Sequence, residues 1–253
     1  MNMKKALLLI LFFGAMGMSF AQTGKALQGV TVSGTKGEHS YVDLGLKSGL
    51  LWATSNVGAL TPDGYGDYFA WGETKPQMAS DTSYSWSTYK FMQKGYDSGR
   101  GCNKYTIASD LDANPVWFDS AGTFIGDSLL TLLPEDDAAT VNWGSEWRMP
   151  TRAEQDELRE GCIWVWTDNF NGTGIAGSIG TSKSNGNVIF LPAAGCRGYG
   201  DIKDVNSFGR YWPSTLSIGD SSYAYELGCH SGRVGRCLSY RYYGESVRAV
   251  TKK

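Results

Sequence analysis

The sequence predicts an α+β domain with two helices, short antiparallel strands and long loops. Three observations support this fold class. A helix-capping box begins at Thr151, an Asn185-Gly186 dipeptide separates two strand-like segments, and the chain contains 33 glycines and 9 tryptophans. Capping boxes mark helix starts and Asn-Gly marks hairpins, while abundant glycine and tryptophan indicate loops packed by large aromatic rings.

The N-terminal elements of the domain are two short strands. Residues 41–46 (YVDLGL) alternate between apolar and polar side chains, and residues 50–53 (LLWA) form a second short apolar run. The glycine- and aromatic-rich residues 63–76 indicate an ordered loop. Residues 77–131 show no sustained period and are predicted to form a long excursion from the sheet.

Two helices are predicted in the middle of the chain. Pro134 suits a first helical position, and the acidic residues after it suit the positive end of a helix dipole, so this helix should run to about Asn142 and stop at Gly144. Thr151-Arg152-Ala153-Glu154 is a capping box, and the helix it begins should end at Gly161.

The C-terminal part reads as further strands. Residues 163–166, 211–212 and 246–250 are predicted to be short strands, and Asn185-Gly186 predicts a hairpin with a type I′ turn, in which both central residues have positive φ. Large aromatic residues mostly serve packing, so five tryptophans are predicted to lie in the core: Trp143, Trp147, Trp164, Trp166 and Trp212.

Residues 1–21 are typical of a secretory signal peptide. Lys4 and Lys5 precede an apolar run over 6–16, and Ser19-Phe20-Ala21 is a small-x-small cleavage motif. The run is too short to span a bilayer comfortably, and no second hydrophobic span follows it. We therefore expect an exported protein, periplasmic, cell-surface or secreted, with no membrane span.

The exported part is expected to comprise a leader over 22–38 and one domain over 39–253. Loss of Lys4 and Lys5 takes the formal net charge from −2 to −4, which argues against nucleic acid as a partner.

Residues 216–244 have the composition of an antibody-like binding surface. Tyr, Ser and Gly, five of each, make up 15 of the 29 residues, and Glu226 is the only residue of the types Lys, Glu, Gln, Met or Trp. Tyrosine supplies rigid contact area, while serine and glycine supply adaptable polar contacts. The framework-like segments 209–215 and 245–250 flank this stretch, so it is predicted to be a recognition segment.

Strand alternation divides the segment into two sets. Ala224, Tyr225, Leu227 and Val234 are predicted to pack inward. The predicted ligand-binding side chains face outward, and they are Asp220, Tyr223, Glu226, His230, Arg233, Arg236, Tyr240 and Tyr243. A second interpretation is a hairpin that only completes the domain.

No catalytic residue, metal site or cofactor is predicted. The five cysteines show no zinc-ligand spacing, and their odd number leaves at least one unpaired; Cys162 is expected to be a buried thiol. The acidic residues 135–137 suit a helix N-terminus at least as well as calcium. His230 has no residue that would orient it as a base, so the chain is expected not to be an enzyme.

Seven segments of the chain carry motifs in one order: 41–59, 65–74, 84–90, 134–158, 189–198, 209–215 and 244–250. Together they resemble the Fibrobacter succinogenes major paralogous domain, a family of exported Bacteroidetes proteins. The resemblance implies a C-type-lectin-like fold whose first and last strands pair, here 41–46 near 246–250. The calcium and sugar motifs of lectins are absent from this sequence.

The scarcity of these residue types in 216–244 also resembles the variable region of a protein diversified by a retroelement. Such regions are rewritten at adenines, typically in AAC codons, and codons of the form NNC cannot encode Lys, Glu, Gln, Met or Trp. These patterns together predict an exported protein that binds an unknown protein or glycan on a cell, phage or host surface. The alternative is a structural or adhesion component of the cell envelope with no diversified site. An enzyme ranks third. Some proteins of the implied fold are oxidases that use paired cysteines, and Cys229 and Cys237 would be that pair here.

Overall fold

The computed structural model describes residues 29–76, 84–98, 101–108 and 117–253. It is mainly β structure, 33% strand against 13% helix, and its strands curl into an antiparallel half-barrel. The predicted α+β C-type-lectin-like fold is therefore wrong. Both predicted α-helices exist, but with 6 and 10 residues they supply little of the apolar surface that the core requires.

Thirteen strands and two α-helices make up the described fold, with 3₁₀ turns at Trp86–Thr88, Pro134–Asp136 and Phe170–Gly172. In chain order the elements are β1 Gly34–Lys36, β2 His39–Asp43, β3 Leu51–Ala53, α1 Ala138–Trp143, β4 Trp147–Arg148, α2 Arg152–Gly161, β5 Cys162–Thr167, β6 Gly177–Ser182, β7 Val188–Pro192, β8 Cys196–Gly198, β9 Asp201–Lys203, β10 Gly209–Tyr211, β11 Tyr223–His230, β12 Arg233–Tyr240 and β13 Val250–Thr251.

The two ends of the domain meet in one antiparallel sheet of order β1-β2-β3-β13-β4. Val250 lies opposite Trp52 on β3 and Arg148 on β4. The expected pairing of residues 41–46 with 246–250 is wrong, because the chain turns back after β2 and places β3 between them. Gly45, at φ +62°, lies in this reversal.

Both helices begin at side-chain caps. The Asp137 carboxylate accepts the Thr140 amide at 2.9 Å, so α1 starts after a 3₁₀ turn rather than at Pro134. Thr151 and Glu154 form the predicted capping box of α2, and Glu154 also binds Arg148 through two bonds of 2.7 and 2.6 Å. The start of α2 is thereby tied to β4.

Replacing Thr151 with alanine should lower the free energy of unfolding by about 1 kcal/mol, because the Glu154 amide loses its acceptor. Urea denaturation measures this loss. Thr151→Ser keeps the hydroxyl and serves as the control. An equal loss in the two variants would show that the methyl group, and not the cap, carries the effect.

The second sheet has the order β5-β6-β7, and its β6–β7 hairpin confirms the prediction around Asn185-Gly186. The predicted type I′ turn is wrong. The Ser182 amide bonds to the Asn187 carbonyl, so the loop is longer than two residues, and only Gly186 of the pair has positive φ. The side-chain amides of Asn185 and Asn187 instead donate to the Asp43 carbonyl, so contacts with a distant part of the chain set the conformation of this loop.

Two main clusters of buried side chains form the core. Trp147 and Trp212 are almost wholly buried in it, as predicted. Trp143, Trp164 and Trp166 are only partly buried, so the prediction is wrong for them. Trp143 and Trp164 pack against the border of the core, whereas the Trp166 indole donates to Asp168. Trp143 also stacks on His39 with ring centroids 3.8 Å apart.

All five cysteines are free thiols, and Cys162 is buried as expected. Cys229 and Cys237 lie on opposite faces of the β11–β12 ladder, because Cys229 is paired with Val234 and Cys237 with Glu226. They are not positioned to form a disulfide.

Among the described residues no helix is long and apolar enough to cross a membrane. The predicted signal peptide lies outside the described residues. The first sheet begins at Gly34, within the segment predicted as a leader.

Candidate ligand-binding site

Residues 216–244 form an ordered hairpin on a third sheet of order β10-β11-β12. Its strands pair over eight residues, from Tyr223 opposite Tyr240 to His230 opposite Arg233. Nearly half of the segment is buried. Ala224 and Leu227 are buried as predicted, and Val234 packs on the core. The segment thus combines core positions with a limited exposed surface.

Four tyrosines gather at the open end of this hairpin. The Tyr223 and Tyr240 rings stack with centroids 4.3 Å apart, and Tyr243 meets Tyr240 edge-on at 6.0 Å. Tyr199, from the loop after β8, is 62% exposed, and its hydroxyl accepts a hydrogen bond of 3.1 Å from the hydroxyl of the buried Tyr242. We call Tyr199, Tyr223, Tyr240 and Tyr243 the tyrosine cluster.

The tyrosine cluster stands on a buried aromatic base. The Trp86 ring contacts Tyr242 at 4.8 Å and Tyr240 at 5.9 Å between centroids. Gly198 is also required, because a Cβ there would lie 2.4 Å from the Tyr243 ring. The rings are therefore held in place before any ligand arrives, which lowers the entropic cost of binding.

A pocket of about 290 Å³ opens between β12 and the β8–β9 ribbon. At about 30 Å³ per water this is room for roughly ten water molecules, comparable to one large side chain or sugar ring. Three tyrosines of the cluster form part of its wall. Its lining residues are Cys196, Gly198, Lys203, Asp204, Arg210, Tyr223, Leu238, Ser239, Tyr240 and Tyr243.

Arg210 forms the charged wall of the pocket. Its guanidinium donates to Asp204 at 3.1 Å and to Glu226 at 3.2 Å, and lies over the Phe208 ring at 4.3 Å. Burial acts to lower the pKa of Arg210, but the charges of Glu226 and Glu245 outweigh it and raise that pKa. Arg210 is thus a permanent cation that joins the pocket to the carboxyl groups beneath it.

The predicted ligand-facing orientation of Glu226 is wrong. Its side chain has no exposed surface, because residues 226–229 of β11 are buried on both faces of the sheet. Glu245 is also fully buried, and its carboxyl group lies beside the Ser239 hydroxyl and the Glu226 carboxyl group without a well-aligned hydrogen bond to any described residue. Burial raises the pKa of Glu226, and burial together with the Glu226 charge raises that of Glu245 well above 4.5.

The other predicted ligand residues lie in three different places. Tyr223, Tyr240 and Tyr243 meet at the pocket. Asp220 caps the turn into β11 by accepting the Ser222 amide at 2.8 Å. The remaining three are separate from the pocket: His230 stacks on Phe208 with centroids 5.4 Å apart, Arg233 is exposed at the hairpin tip, and Arg236 is paired with Asp156 on α2.

The two ends of the hairpin are far apart. Tyr223 and His230 are seven residues apart on β11, which corresponds to about 23 Å at 3.3 Å per residue. The eight predicted side chains therefore do not form one surface. The tyrosine end has a pocket, and the arginine-bearing tip lies at the opposite end of the ladder.

Half of the site comes from residues that sequence reasoning missed. Lys203, Asp204 and Arg210 lie before the recognition segment, and Tyr199 lies in a glycine-rich loop. A local signal exists only for Tyr199, an aromatic residue between Gly198 and Gly200 that takes positive φ (53°). The contribution of Arg210 depends on the pairing of β10 with β11, which no local pattern reports.

The pocket offers stacking, hydrogen bonds and charge. Burial raises the pKa of the Cys196 thiol to about 12, so this group stays protonated near neutral pH. Burial and the Tyr240 hydroxyl raise the pKa of Tyr223 to about 12 as well. His230 accepts the Gly232 amide at 3.0 Å, at the far end of the hairpin from these groups. The arrangement suits recognition better than nucleophilic chemistry.

The acidic residues 135–137 have structural partners. Asp136 binds Lys90 and Lys104 at 2.5 Å each, and Asp137 caps α1 while also accepting the Met149 amide. Within the described part of the chain, no group of three or more His, Cys, Asp or Glu side chains is arranged to hold a metal ion.

Comparison of the chain with protein-family models, with curated proteins and with solved structures gives no match.

Proposed function

We propose that this chain is an exported binding protein that recognises a protein or glycan through the tyrosine cluster and its pocket. One observation carries the proposal. Three of the tyrosines in the recognition segment converge on a single pocket, where they are only partly buried. Partly exposed tyrosines that border a pocket are typical of binding hot spots.

The site also has the rigidity that tight recognition requires. Trp86, Tyr242 and Gly198 hold the tyrosine rings in place, and Arg210 is fixed by two carboxylates. Aromatic rings with few rotamers to lose give contact area at low entropic cost. The pocket lining adds polar groups, from Ser239 and Arg210, that can orient a ligand.

The resemblance to the paralogous family and the diversification by a retroelement belong to the same proposal. Diversification would act on partly exposed positions such as Tyr223, Tyr240 and Tyr243, and spare buried positions such as Arg241 and Leu227. Sequencing the DNA around the 3′ end of the gene tests this. A near-copy repeat with a reverse transcriptase nearby is expected, and the lack of both would refute diversification.

A structural or adhesion role in the cell envelope is the second candidate. It is favoured by the deep burial of Glu226, Leu227 and Arg241, which shows that much of the hairpin completes the core. In that case the tyrosine cluster would have no specific ligand. A screen of protein and glycan arrays with the full chain separates the two candidates, because only the binding role predicts saturable, selective signals.

Replacing both Tyr240 and Tyr243 with alanine should weaken binding of the array-selected ligand by a factor of at least about ten. The matched control is His230→Ala, which removes an aromatic side chain of the same segment at the far end of the ladder. It should leave affinity within about twofold. Titration calorimetry measures both. Loss of binding in the His230 variant alone would place the site at the hairpin tip and refute the proposal.

A further inference from the structure

The outer edge of β12 is unpaired. β12 is the terminal strand of its sheet, and no described residue pairs with its outer side between Arg233 and Ser239. The Tyr225 amide bonds to the Thr215 carbonyl and so points away from β12. Tyr225 and Leu238 therefore form a non-hydrogen-bonded pair, in which both residues direct their backbone groups outward. By strand periodicity Val234 and Arg236 do the same.

This edge has few of the features that normally prevent strand addition. Natural edges are protected by lysine, proline, bulges or a covering element. β12 contains neither lysine nor proline, and it pairs without a bulge over eight residues. Of its two arginines, Arg236 is turned towards Asp156 on α2. Leu238, in contrast, is 52% exposed beside the pocket.

The pocket lies directly alongside this edge. Leu238, Ser239 and Tyr240 of β12 line it, together with Arg210 of β10, Tyr223 of β11 and part of the β8–β9 ribbon. A strand added to β12 would run beside the three β12 residues that line the pocket. Because side chains alternate along a strand, one residue of the added strand would point into the pocket and its neighbours would not.

The charges along the edge indicate the kind of partner. Lys203 and Arg233 are exposed, and neither forms an ion pair within the described part of the chain. Asp204, the carboxylate that lines the pocket, is already bound to Arg210. Asp201 is also exposed on the β8–β9 ribbon but does not line the pocket, and Arg233 lies at the far end of β12. The free charge that lines the pocket is thus the positive charge of Lys203, which favours acidic side chains in the partner.

Deepening the proposed binding role, on which this inference rests, we propose that the partner is a protein that contributes an extended acidic segment. The segment adds to the free edge of β12 as a further strand and places one large apolar side chain in the pocket. Main-chain hydrogen bonds to Arg236 and Leu238 provide affinity, and the pocket selects the side chain, as in other cases of strand addition.

A displayed library of linear peptides of about ten residues is the direct probe, since this length spans the eight residues of β12. The full chain should enrich peptides with acidic residues around one large apolar residue. Leu238→Pro removes an outward amide without breaking the ladder to β11, because proline is tolerated where the amide faces solvent. Leu238→Thr shortens the same side chain and keeps the amide, so it is the matched control.

Selected peptides should bind Leu238→Pro about tenfold more weakly than Leu238→Thr. If Leu238→Pro fails to fold, hydrogen exchange on the wild-type chain replaces it, and the Arg236 and Leu238 amides should slow when peptide is added. Equal affinity in the two variants, or unchanged exchange at both amides, overturns strand addition. If the chain binds glycans on the array but enriches no peptides, strand addition is overturned and the binding role remains. If no ligand loses affinity when Tyr240 and Tyr243 are replaced, the proposed binding role itself is overturned.

Discussion

Replacing Arg241 with methionine should lower the free energy of unfolding by about 3–5 kcal/mol. Arg241 is fully buried within the recognition segment. Its guanidinium donates to the Tyr89 hydroxyl at 2.9 Å and to the carbonyls of Lys104, Ser221 and Tyr105 at 2.9, 3.0 and 3.3 Å. Methionine fills a similar volume but would leave these acceptors unpaired inside the core.

Aromatic rings, rather than a carboxylate, surround the Arg241 guanidinium. The Arg241 guanidinium lies 5.0 Å from the Trp71 ring centroid and 5.3 Å from that of Tyr89. Lysine cannot reproduce the planar fork that reaches four acceptors, so Arg241→Lys should also lose stability, by about 2–3 kcal/mol.

Guanidinium denaturation of the wild type and both variants measures these losses. Arg233→Met is the matched control, since Arg233 is an exposed arginine on the same hairpin, and its change should stay within about 0.5 kcal/mol. An Arg241→Met variant as stable as this control would contradict the structural role of Arg241. It would also mean that the whole of residues 216–244 could vary without regard to the core.

Replacing Glu245 with glutamine should raise the free energy of unfolding at pH 8 by about 1–3 kcal/mol. Burial and the charge of Glu226 raise the pKa of Glu245 well above its ordinary value of 4.5. The stability that the protonated carboxyl contributes is complete below about pH 4.5 and is lost as the pH rises through the folded-state pKa. Glutamine cannot ionise, and its amide can donate to the Glu226 carboxylate.

The difference between the variant and the wild type, measured by urea denaturation from pH 4.5 to 8, should therefore grow with pH. Carboxyl groups with lowered pKa values, such as Glu154 and Asp136, make the free energy of unfolding rise with pH in both proteins. Taking the difference between the variant and the wild type cancels this contribution. Glu146→Gln is the control, because its side chain is 65% exposed. A difference that stays constant across this range would show that folding does not raise the pKa of Glu245 and would refute the linkage.

Local signals located many elements, although several bounds shifted. The capping box of Thr151 and Glu154 begins α2, and Asn185-Gly186 lies in a hairpin loop. Each depends on hydrogen bonds or backbone dihedrals within a few residues, which composition and spacing report directly. The predicted fold class is wrong because cap signals show where helices begin but not how much of the core they cover. Two helices of 6 and 10 residues cover little of it.

The site was predicted only in part for a related reason. Composition identified the tyrosines, and strand alternation correctly buried Ala224 and Leu227. Alternation assumes one exposed face, however, and residues 226–229 of β11 are buried on both faces. Glu226 is buried for this reason.

The sequence by itself determined a recognition-type composition in residues 216–244, the start of α2 and the strand-rich C-terminal half. These follow from local chemistry, in which each residue acts on neighbours a few positions away. Only the tertiary structure decided that Lys203 and Arg210 join Tyr240 at one pocket, while Arg233 lies at the opposite end of the ladder. Strand order and register set those distances, and both arise from burial over the whole chain rather than from any local pattern.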